Sequence, residues 1–493
     1  MMILAQSRFS SFITACFFGI ALAFSSVCAR ADEQLASGDR PPNVVFILSD
    51  NHGAWTLGCY GNKDIRTPNL DKLAAEGTLF ERSYCSNPVC SPTRATYLTG
   101  LMPSQHGVHS YLGREGAQMG PNAYCTIEEF RSLPEILASQ GYQCGLVGKW
   151  HLGDSLRPQE RFTTWLTMPL GGTTTFYDAE VIENGAVRKE PTYLTEFWTN
   201  HAVEFINSHK DQPFFLYLPY NGPYGLGSHL LNPARNRHRD YYADKELPSF
   251  PREEPHPWLF NNREYINNPV SIRRYAAEVS GVDDGVGRVM QALKDNGLDD
   301  NTLVIFAGDQ GLAGGHSGFW GMGDHTRPIT GYDWTMHVPL IWRHPGKIAA
   351  GHRSDLLVSN YDFLPSILDY LGIPAEQAAN PVSPGRAYRA ALHGDSPEWE
   401  NTVFYEYETV RAIRTDDWKY IERFEGGPNE LFDLRQDPGE RNNLIDQPNL
   451  AETRKELAQQ LKQFFGKHVD PKFDLWNGGV SKTNRIVPPE KTP

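Results

Sequence analysis

The chain is poor in positive charge: 46 lysines and arginines stand against 59 aspartates and glutamates in 493 residues, a formal net charge of −13. That balance excludes non-specific binding to nucleic acid or to an anionic membrane surface, so any anionic substrate has to be held by a local cluster of cations. Cysteine is scarce, at seven residues, and no C-x-x-C pair is present, which argues against a structural zinc site. After the N-terminal segment no apolar run approaches the ~20 residues that a membrane-spanning helix needs. Internal repeats are absent as well, so the chain is not a solenoid. With 21% charged and 40% hydrophobic residues, the composition excludes large-scale disorder.

Glycine and proline are plentiful instead, at 44 and 35 residues, and mark a loop-rich chain. The length predicts about three units of ~150 residues, or one large α/β domain with a smaller companion. Residues 1–31 read as a signal peptide: Arg8 is the positive start, Phe12 to Phe24 the apolar run, and Ala29-Arg30-Ala31 an A-x-A cleavage site. A secreted or periplasmic protein without stable membrane insertion is expected. Cys16 and Cys28 fall in that leader. The remaining Cys59, Cys85, Cys90, Cys125 and Cys144 are odd in number, which suggests one free or chemically special thiol. The other four could form two disulfides, in any of three pairings.

Residues 43–49 form a short continuous apolar run ending at Asp50, the pattern of a strand buried on both faces of a parallel sheet. Residues 214–219 and 302–307 read the same way, and 144–147 more weakly. Helical patterns over 69–76 and 273–296 stop at Gly77 and Gly297. This alternation predicts a doubly wound α/β sheet, in a catalytic domain over residues 40–375. Residues 221–268, dense in Pro, Asn, Arg and aromatics, read as a long loop or lid. From 376 to 480, short strand-like pieces at 403–407 and 418–421 predict a small antiparallel sheet in an α+β subdomain. Leu457, Leu461 and Phe464 mark a late amphipathic helix, and residues 481–493 read as a disordered tail.

Ligands of open α/β sheets bind beyond the carboxyl ends of the strands. Three polar clusters stand there: Asp50-Asn51-His52, Gly148-Lys149-Trp150-His151 and Asp309-Gln310-Gly311. Asp50, Asn51, Asp309 and Gln310 offer four hard oxygens, two of them anionic, a set that suits Ca²⁺ ahead of Mg²⁺. In Pro88-Val-Cys90-Ser-Pro92-Thr-Arg94, Pro92 favours a first helical turn. Cys90 then sits at a helix N-terminus, where backbone N–H groups and the dipole favour an anion, with Arg94 one turn on.

Cys90-Ser91-Pro92-Thr93-Arg94 is similar to the C-x-P-x-R signature of type I sulfatases. Gly141-Tyr142 to Gly148-Lys149-Trp150-His151 resembles their second signature, with Cys144 where Ser or Thr is usual. Residues 414–421 and 430–440 resemble the family's C-terminal subdomain, so the resemblance runs from Pro42 to about Leu444. It implies an alkaline-phosphatase-like fold: a doubly wound mixed sheet with helices on both faces, plus a smaller C-terminal antiparallel-sheet α+β subdomain. It implies conversion of Cys90 to formylglycine by a maturation enzyme, one hydroxyl of the hydrated aldehyde attacking sulfur and the second expelling sulfate. It also implies one Ca²⁺ on Asp50, Asn51, Asp309, Gln310 and the Cys90-derived oxygen. Arg94 would position the hydrated aldehyde, Lys149 would neutralise the sulfate, and His151 would take a proton from the diol.

Three departures from the family stand out. Asn51 replaces a second Asp, which lowers the charge facing calcium. Pro223-Tyr224 replaces a Pro-His pair, so Tyr224, His229 or another group must serve the leaving oxygen. A lysine expected before residues 333–339 is missing, and Gly323-Asp-His325-Thr-Arg327-Pro328 stands in its place. His325 and Arg327 are both expected near the sulfate, as proton donor or charge, whereas His316 and His337 read as packing residues. The expected activity is hydrolysis of O-sulfate esters, in an exported enzyme those of sulfated saccharides. The aromatics from Tyr241 to Phe260 either stack on sugar rings or pin the loop. The alternatives are a phosphonate monoester or phosphodiester hydrolase of the same superfamily, and a member that binds sulfated glycan without turnover.

Overall fold

Strand β1 (Asn43–Asp50) is buried along its whole length. Val44, Phe46 and Leu48 enter one hydrophobic core while Val45 and Ile47 enter another. This is the period-two split of a strand covered on both faces. The computed structural model describes residues 40–113, 116–378, 381–424 and 427–487, and the leader reading of residues 1–31 lies outside them.

Further strands are β2 (Thr78–Tyr84), β3 (Gln143–Val147), β4 (Thr164–Thr167), β5 (Ala179–Glu183), β6 (Ala186–Glu190), β7 (Phe214–Pro223) and β8 (Thr302–Gly308). The short β9 (Ala313–Gly314) and β10 (Trp320–Gly321) form a separate ribbon, followed by β11 (Leu340–Arg343) and β12 (His352–Ser359). The large sheet runs β12-β2-β11-β8-β1-β7-β3-β4-β5-β6. β1 is parallel to both β7 and β8, with Val45 opposite Leu216 and Val304. β11 and the β4-β5-β6 edge introduce antiparallel pairs, so the sheet is mixed.

Helices α1 (Pro68–Ala75), α2 (Cys90–Thr99), α3 (Leu133–Ser139), α4 (Leu194–Ser208), α5 (Pro269–Asp295) and α6 (Phe363–Leu371) cover the two faces. Leu70, Trp198 and Val282 of α1, α4 and α5 pack with Val45 and Ile47. Tyr97, Ile136 and Leu368 of α2, α3 and α6 pack with Phe46 on the other side. Each fully buried aliphatic or aromatic side chain of this kind contributes about 1.5–3 kcal/mol. The long α5 starts where Asn268 accepts a hydrogen bond from the Val270 N–H at 3.0 Å, a side-chain cap followed by a proline in the first turn.

The small sheet is β13 (Thr402–Tyr407), β14 (Val410–Thr415), β15 (Trp418–Arg423) and β16 (Glu430–Asp433), antiparallel in chain order. Helix α7 (Ala451–Lys467) lays Leu457, Leu461 and Phe465 on Ile413, Tyr420 and Leu431. The buried third position is therefore Phe465, and Phe464 instead stacks on Phe404 with ring centroids 3.8 Å apart. Lys419 of β15 ties this sheet to the large one. Its Nζ donates to Asp333 at 2.7 Å, to the Gly331 carbonyl at 2.8 Å and to Glu440 at 2.6 Å.

Two expectations are corrected here. The five cysteines of the described residues are all unpaired, because each thiol lies in its own setting: Cys125 on Glu160 at 3.3 Å, Cys144 on the Pro134 carbonyl at 3.5 Å, Cys85 beside the Thr335 carbonyl at 3.8 Å. The tail reading fails for residues 481–487, since Glu408 accepts from the backbone N–H groups of Ile486 and Val487 at 2.6 and 2.7 Å. The 221–268 segment does contain long irregular stretches, and its aromatics pin it down: Tyr242 and Phe250 are buried, and the Tyr242 hydroxyl is 2.7 Å from Ser280 Oγ.

Candidate active site

Parallel pairing of β1 with β8 brings two strand ends side by side. Asp309 N–H donates to the Ser49 carbonyl at 2.9 Å, and Asp309 Oδ1 accepts from the N–H groups of Asn51 and Gln310 at 3.1 and 2.8 Å. Asn51 takes the left-handed conformation, φ 54°, which turns the chain away once Asp50 has been delivered.

Lys149 arrives from the end of β3. Gly148 there has φ 135°, and a Cβ on it would lie 2.1 Å from the Pro219 carbonyl oxygen, so only glycine fits. Lys149 N–H donates to that same oxygen at 2.7 Å, and its Nζ donates to Asp50 Oδ2. Helix α2 begins at Cys90 and is buried throughout. Arg94, one turn in, donates through Nη2 to Asp309 at 2.7 Å and to Asp50 at 3.2 Å, and through Nη1 to the Lys149 carbonyl at 2.6 Å.

Two buried carboxylates thus face two buried cations, so the cluster is electrically balanced before any ligand enters. Burial and the Asp50 charge push Asp309 upward, against the pull of Arg94. Burial and the same two carboxylates hold the Cys90 thiol far above its ordinary range, so an unmodified sulfhydryl here is a poor nucleophile.

Ligating atoms of Asp50, Cys90 and Asp309 all lie within 4.8 Å of one another. Gln310 Nε2 sits 3.3 Å from Asp50 Oδ1, 3.1 Å from Asn51 Oδ1 and 3.2 Å from Cys90 Sγ, three acceptors converging on one donor. Its own Oε1 is buried without a partner. A half-turn of that amide, which leaves its shape unchanged, points a third oxygen at the same spot, beside the Cys90 sulfur. Such convergence of hard acceptors fits a calcium-sized cation.

Cys90, His151, Tyr224 and His325 line one pocket of about 620 Å³. His151 Nε2 lies 3.1 Å from the Leu112 carbonyl oxygen, which only accepts, so the proton sits on Nε2. Nδ1 is left as a buried acceptor without a partner, and burial together with Lys149 keeps the ring neutral. Tyr224 donates its N–H to the Asp50 carbonyl at 3.0 Å, and its ring centroid is 5.3 Å from Lys149 Nζ. His325 Nδ1 is 2.7 Å from Asp324 Oδ1.

Not every candidate comes to the pocket. Arg327 does not line it: an antiparallel bridge between Leu259 and Thr326 fixes the backbone so that Arg327 is exposed, its guanidinium over the Phe260 ring. His229 packs edge-on against Phe176, centroids 5.2 Å apart, outside the pocket wall. His316 stacks on Trp334 and His337 on Tyr84.

Two further residues, Gln118 and Gly171, set the position of His151. Gln118 Nε2 donates to the same Leu112 carbonyl at 2.7 Å, and a Cβ on Gly171 would fall 2.1 Å from the His151 ring. Neither position carries a sequence signal, since both act by proximity alone.

A sulfatase profile matches residues 42–373, and one described as N-sulphoglucosamine sulphohydrolase, C-terminal, matches residues 325–467. The N-acetylglucosamine-6-O-sulfatase of Bacteroides thetaiotaomicron is 26% identical over 91% of this chain and 90% of its own. The solved structure of BT4656 in complex with its substrate, D-glucosamine-2-N,6-O-disulfate, superposes with TM-score 0.68 at 24% identity, over 87% of this chain and 98% of that one. The phosphonate monoester hydrolase of Agrobacterium radiobacter shares the fold as well, with TM-score 0.65 at 21% identity over 87% and 96% of the two chains. The alkaline-phosphatase-like architecture and a profile match spanning most of the chain agree: this protein belongs to the sulfatase family and is a sulfuric ester hydrolase.

Proposed function

We propose that the chain hydrolyses O-sulfate esters of a sulfated saccharide, with Cys90 converted to formylglycine and Ca²⁺ held by Asp50, Asn51, Asp309, Gln310 and the Cys90-derived oxygen. The carrying observation is the meeting of Asp50, Asn51, Gln310 and Cys90 around one point at the pocket, braced by Arg94 and Lys149. When present, the ion would polarise a sulfate oxygen, and the hydrated aldehyde would supply an oxygen nucleophile with a second hydroxyl for release.

The rest is done by this chain's own side chains. Arg94 fixes both carboxylates in place by three donor contacts. Lys149 brings a positive charge to the sulfate, where charge gathers as the ester bond breaks. His151, neutral and with Nδ1 unpartnered, takes the proton from the hydrated Cys90-derived side chain. His325, whose Nδ1 accepts from the Met322 N–H at 3.2 Å so that its proton sits on Nε2, is the proton donor to the departing alcohol, with Tyr224 the other pocket-lining candidate. The sugar assignment draws on the relative that acts on N-acetylglucosamine-6-O-sulfate.

Intact-peptide mass analysis around Cys90, on protein from a host with the maturation enzyme, tests the modification. Sulfate release should follow from wild type and vanish in Cys90→Ala with an unchanged circular dichroism spectrum. Undiminished turnover in that variant overturns the reading. Faster turnover of phosphonate monoesters than of sulfate esters would instead select the hydrolase alternative, and glycan binding without release the non-catalytic one. We also propose export after removal of residues 1–31, to be checked by N-terminal sequencing; among the described residues no helix is long and apolar enough to cross a membrane.

A further inference from the structure

Phe260 is the one aromatic of the 221–268 segment that the fold leaves in solvent, 63% exposed. Its position is nevertheless fixed. The Phe260 N–H donates to the His325 carbonyl at 2.9 Å and the Arg327 N–H to the Trp258 carbonyl at 2.7 Å, on either side of the Leu259–Thr326 bridge. The next residue along one strand, Asn261, lines the active-site pocket, and so does His325 on the other.

Arg327 lies over Phe260 with its guanidinium carbon 4.7 Å from the ring centroid. Its Nη1 donates to the carbonyls of Asp324 and Thr326 at 2.8 and 2.7 Å, which holds the group flat and in register. Among the described residues Nε and Nη2 have no partner. A planar fork of free N–H donors beside an exposed ring suits a ligand with an apolar face and an oxyanion at its edge. On a chain of net charge −13, such a cation next to the pocket is a selective feature.

The structure assigns to Phe260 and Arg327 a second binding subsite at the pocket mouth, for the sugar adjoining the sulfated one. The C–H face of that sugar lies on the face of the Phe260 ring that Arg327 leaves open, and its carboxylate or additional sulfate reaches past the ring edge to Arg327. This rests on the saccharide reading above and adds the requirement that the neighbouring unit be anionic.

The test measures affinity by calorimetry, independently of turnover. The probes are a glucuronate-containing disaccharide, a disaccharide whose neighbouring unit carries a sulfate instead, and a neutral counterpart, none bearing the scissile sulfate. Wild type should bind at least one anionic probe about tenfold more tightly than the neutral one, and which of the two identifies the anion. Arg327→Gln should erase that preference, and Phe260→Ala should weaken all three probes about tenfold. Equal affinity of wild type and both variants, or no wild-type preference for an anionic probe, overturns the subsite. Sulfate release from a sulfated monosaccharide by the same preparation tests the underlying reading separately. If release occurs while the affinities are indifferent, only the subsite falls. If the affinities differ as expected while no saccharide sulfate is released, the hydrolytic reading falls and the subsite stands.

Discussion

Arg94 grips Asp309 twice through one oxygen, Nη2 at 2.7 Å and Nε at 3.1 Å from Oδ2, and neither side chain has any solvent exposure. The guanidinium also touches Asp50, so one cation holds two carboxylates that would otherwise repel each other. Replacing Arg94 by Ala leaves that buried negative pair with Lys149 alone. The expected loss is about 3–5 kcal/mol in urea unfolding, together with all sulfate release. A variant as stable as wild type would show that the pair does not need its cation.

In the proposed calcium site Asn51 would contribute a neutral oxygen where a carboxylate would bind the ion more strongly. Asn51→Asp should tighten calcium binding by about tenfold, through the added charge. Without the ion, a third acid in the cluster should lower the melting temperature. The calcium-induced rise in Tm should therefore be larger in the variant, read by differential scanning with and without chelator. Equal rises would exclude residue 51 as a ligand.

A methyl group at position 171 has no room beside His151. Gly171→Ala should push that imidazole aside and lower kcat about 10²-fold, the usual effect of misplacing a reacting group by an ångström. The site lies at the pocket wall, so the fold should survive, as circular dichroism can verify. An unaltered kcat would remove His151 from the chemistry.

Glu160 offers a pH test away from the Asp50–Asp309 cluster. Burial raises its carboxyl to about 7 from 4.5, against the hydrogen bonds from Ser132 and Cys125. The folded state therefore binds the proton more tightly than the unfolded one, and stability falls as pH rises from about 4.5 to 7. Glu160→Gln stays neutral and escapes this loss. It should be more stable than wild type by up to about 3 kcal/mol at pH 8, with the gap closing near pH 4, in urea melts at both pH values.

The central strands and the residues at their ends were readable because each depends on local pattern. A continuous apolar run fixes a doubly covered strand, and the strand-end rule then places Asp50, Lys149 and Asp309 together. Cys90 and Arg94 follow from a proline at a helix start and a one-turn spacing. The direction of Arg327 is set by the bridge of its neighbour Thr326 to Leu259, 67 positions from Thr326 in the chain, which no local spacing records. The choice between Phe464 and Phe465 also needed the structure, since both lie near one helical stripe and only the Phe404 ring decides which is stacked. Gln118 and Gly171 matter through shape alone and leave no periodic trace.

The contact of Lys419 with Asp333 and Glu440 has an evolutionary corollary. One buried ammonium answers acids from both sides of the seam, so grafting a relative's carboxyl-terminal third onto this catalytic core would strand Asp333 inside the hybrid. Recombination at that junction should yield insoluble chimeras unless all three partners travel together.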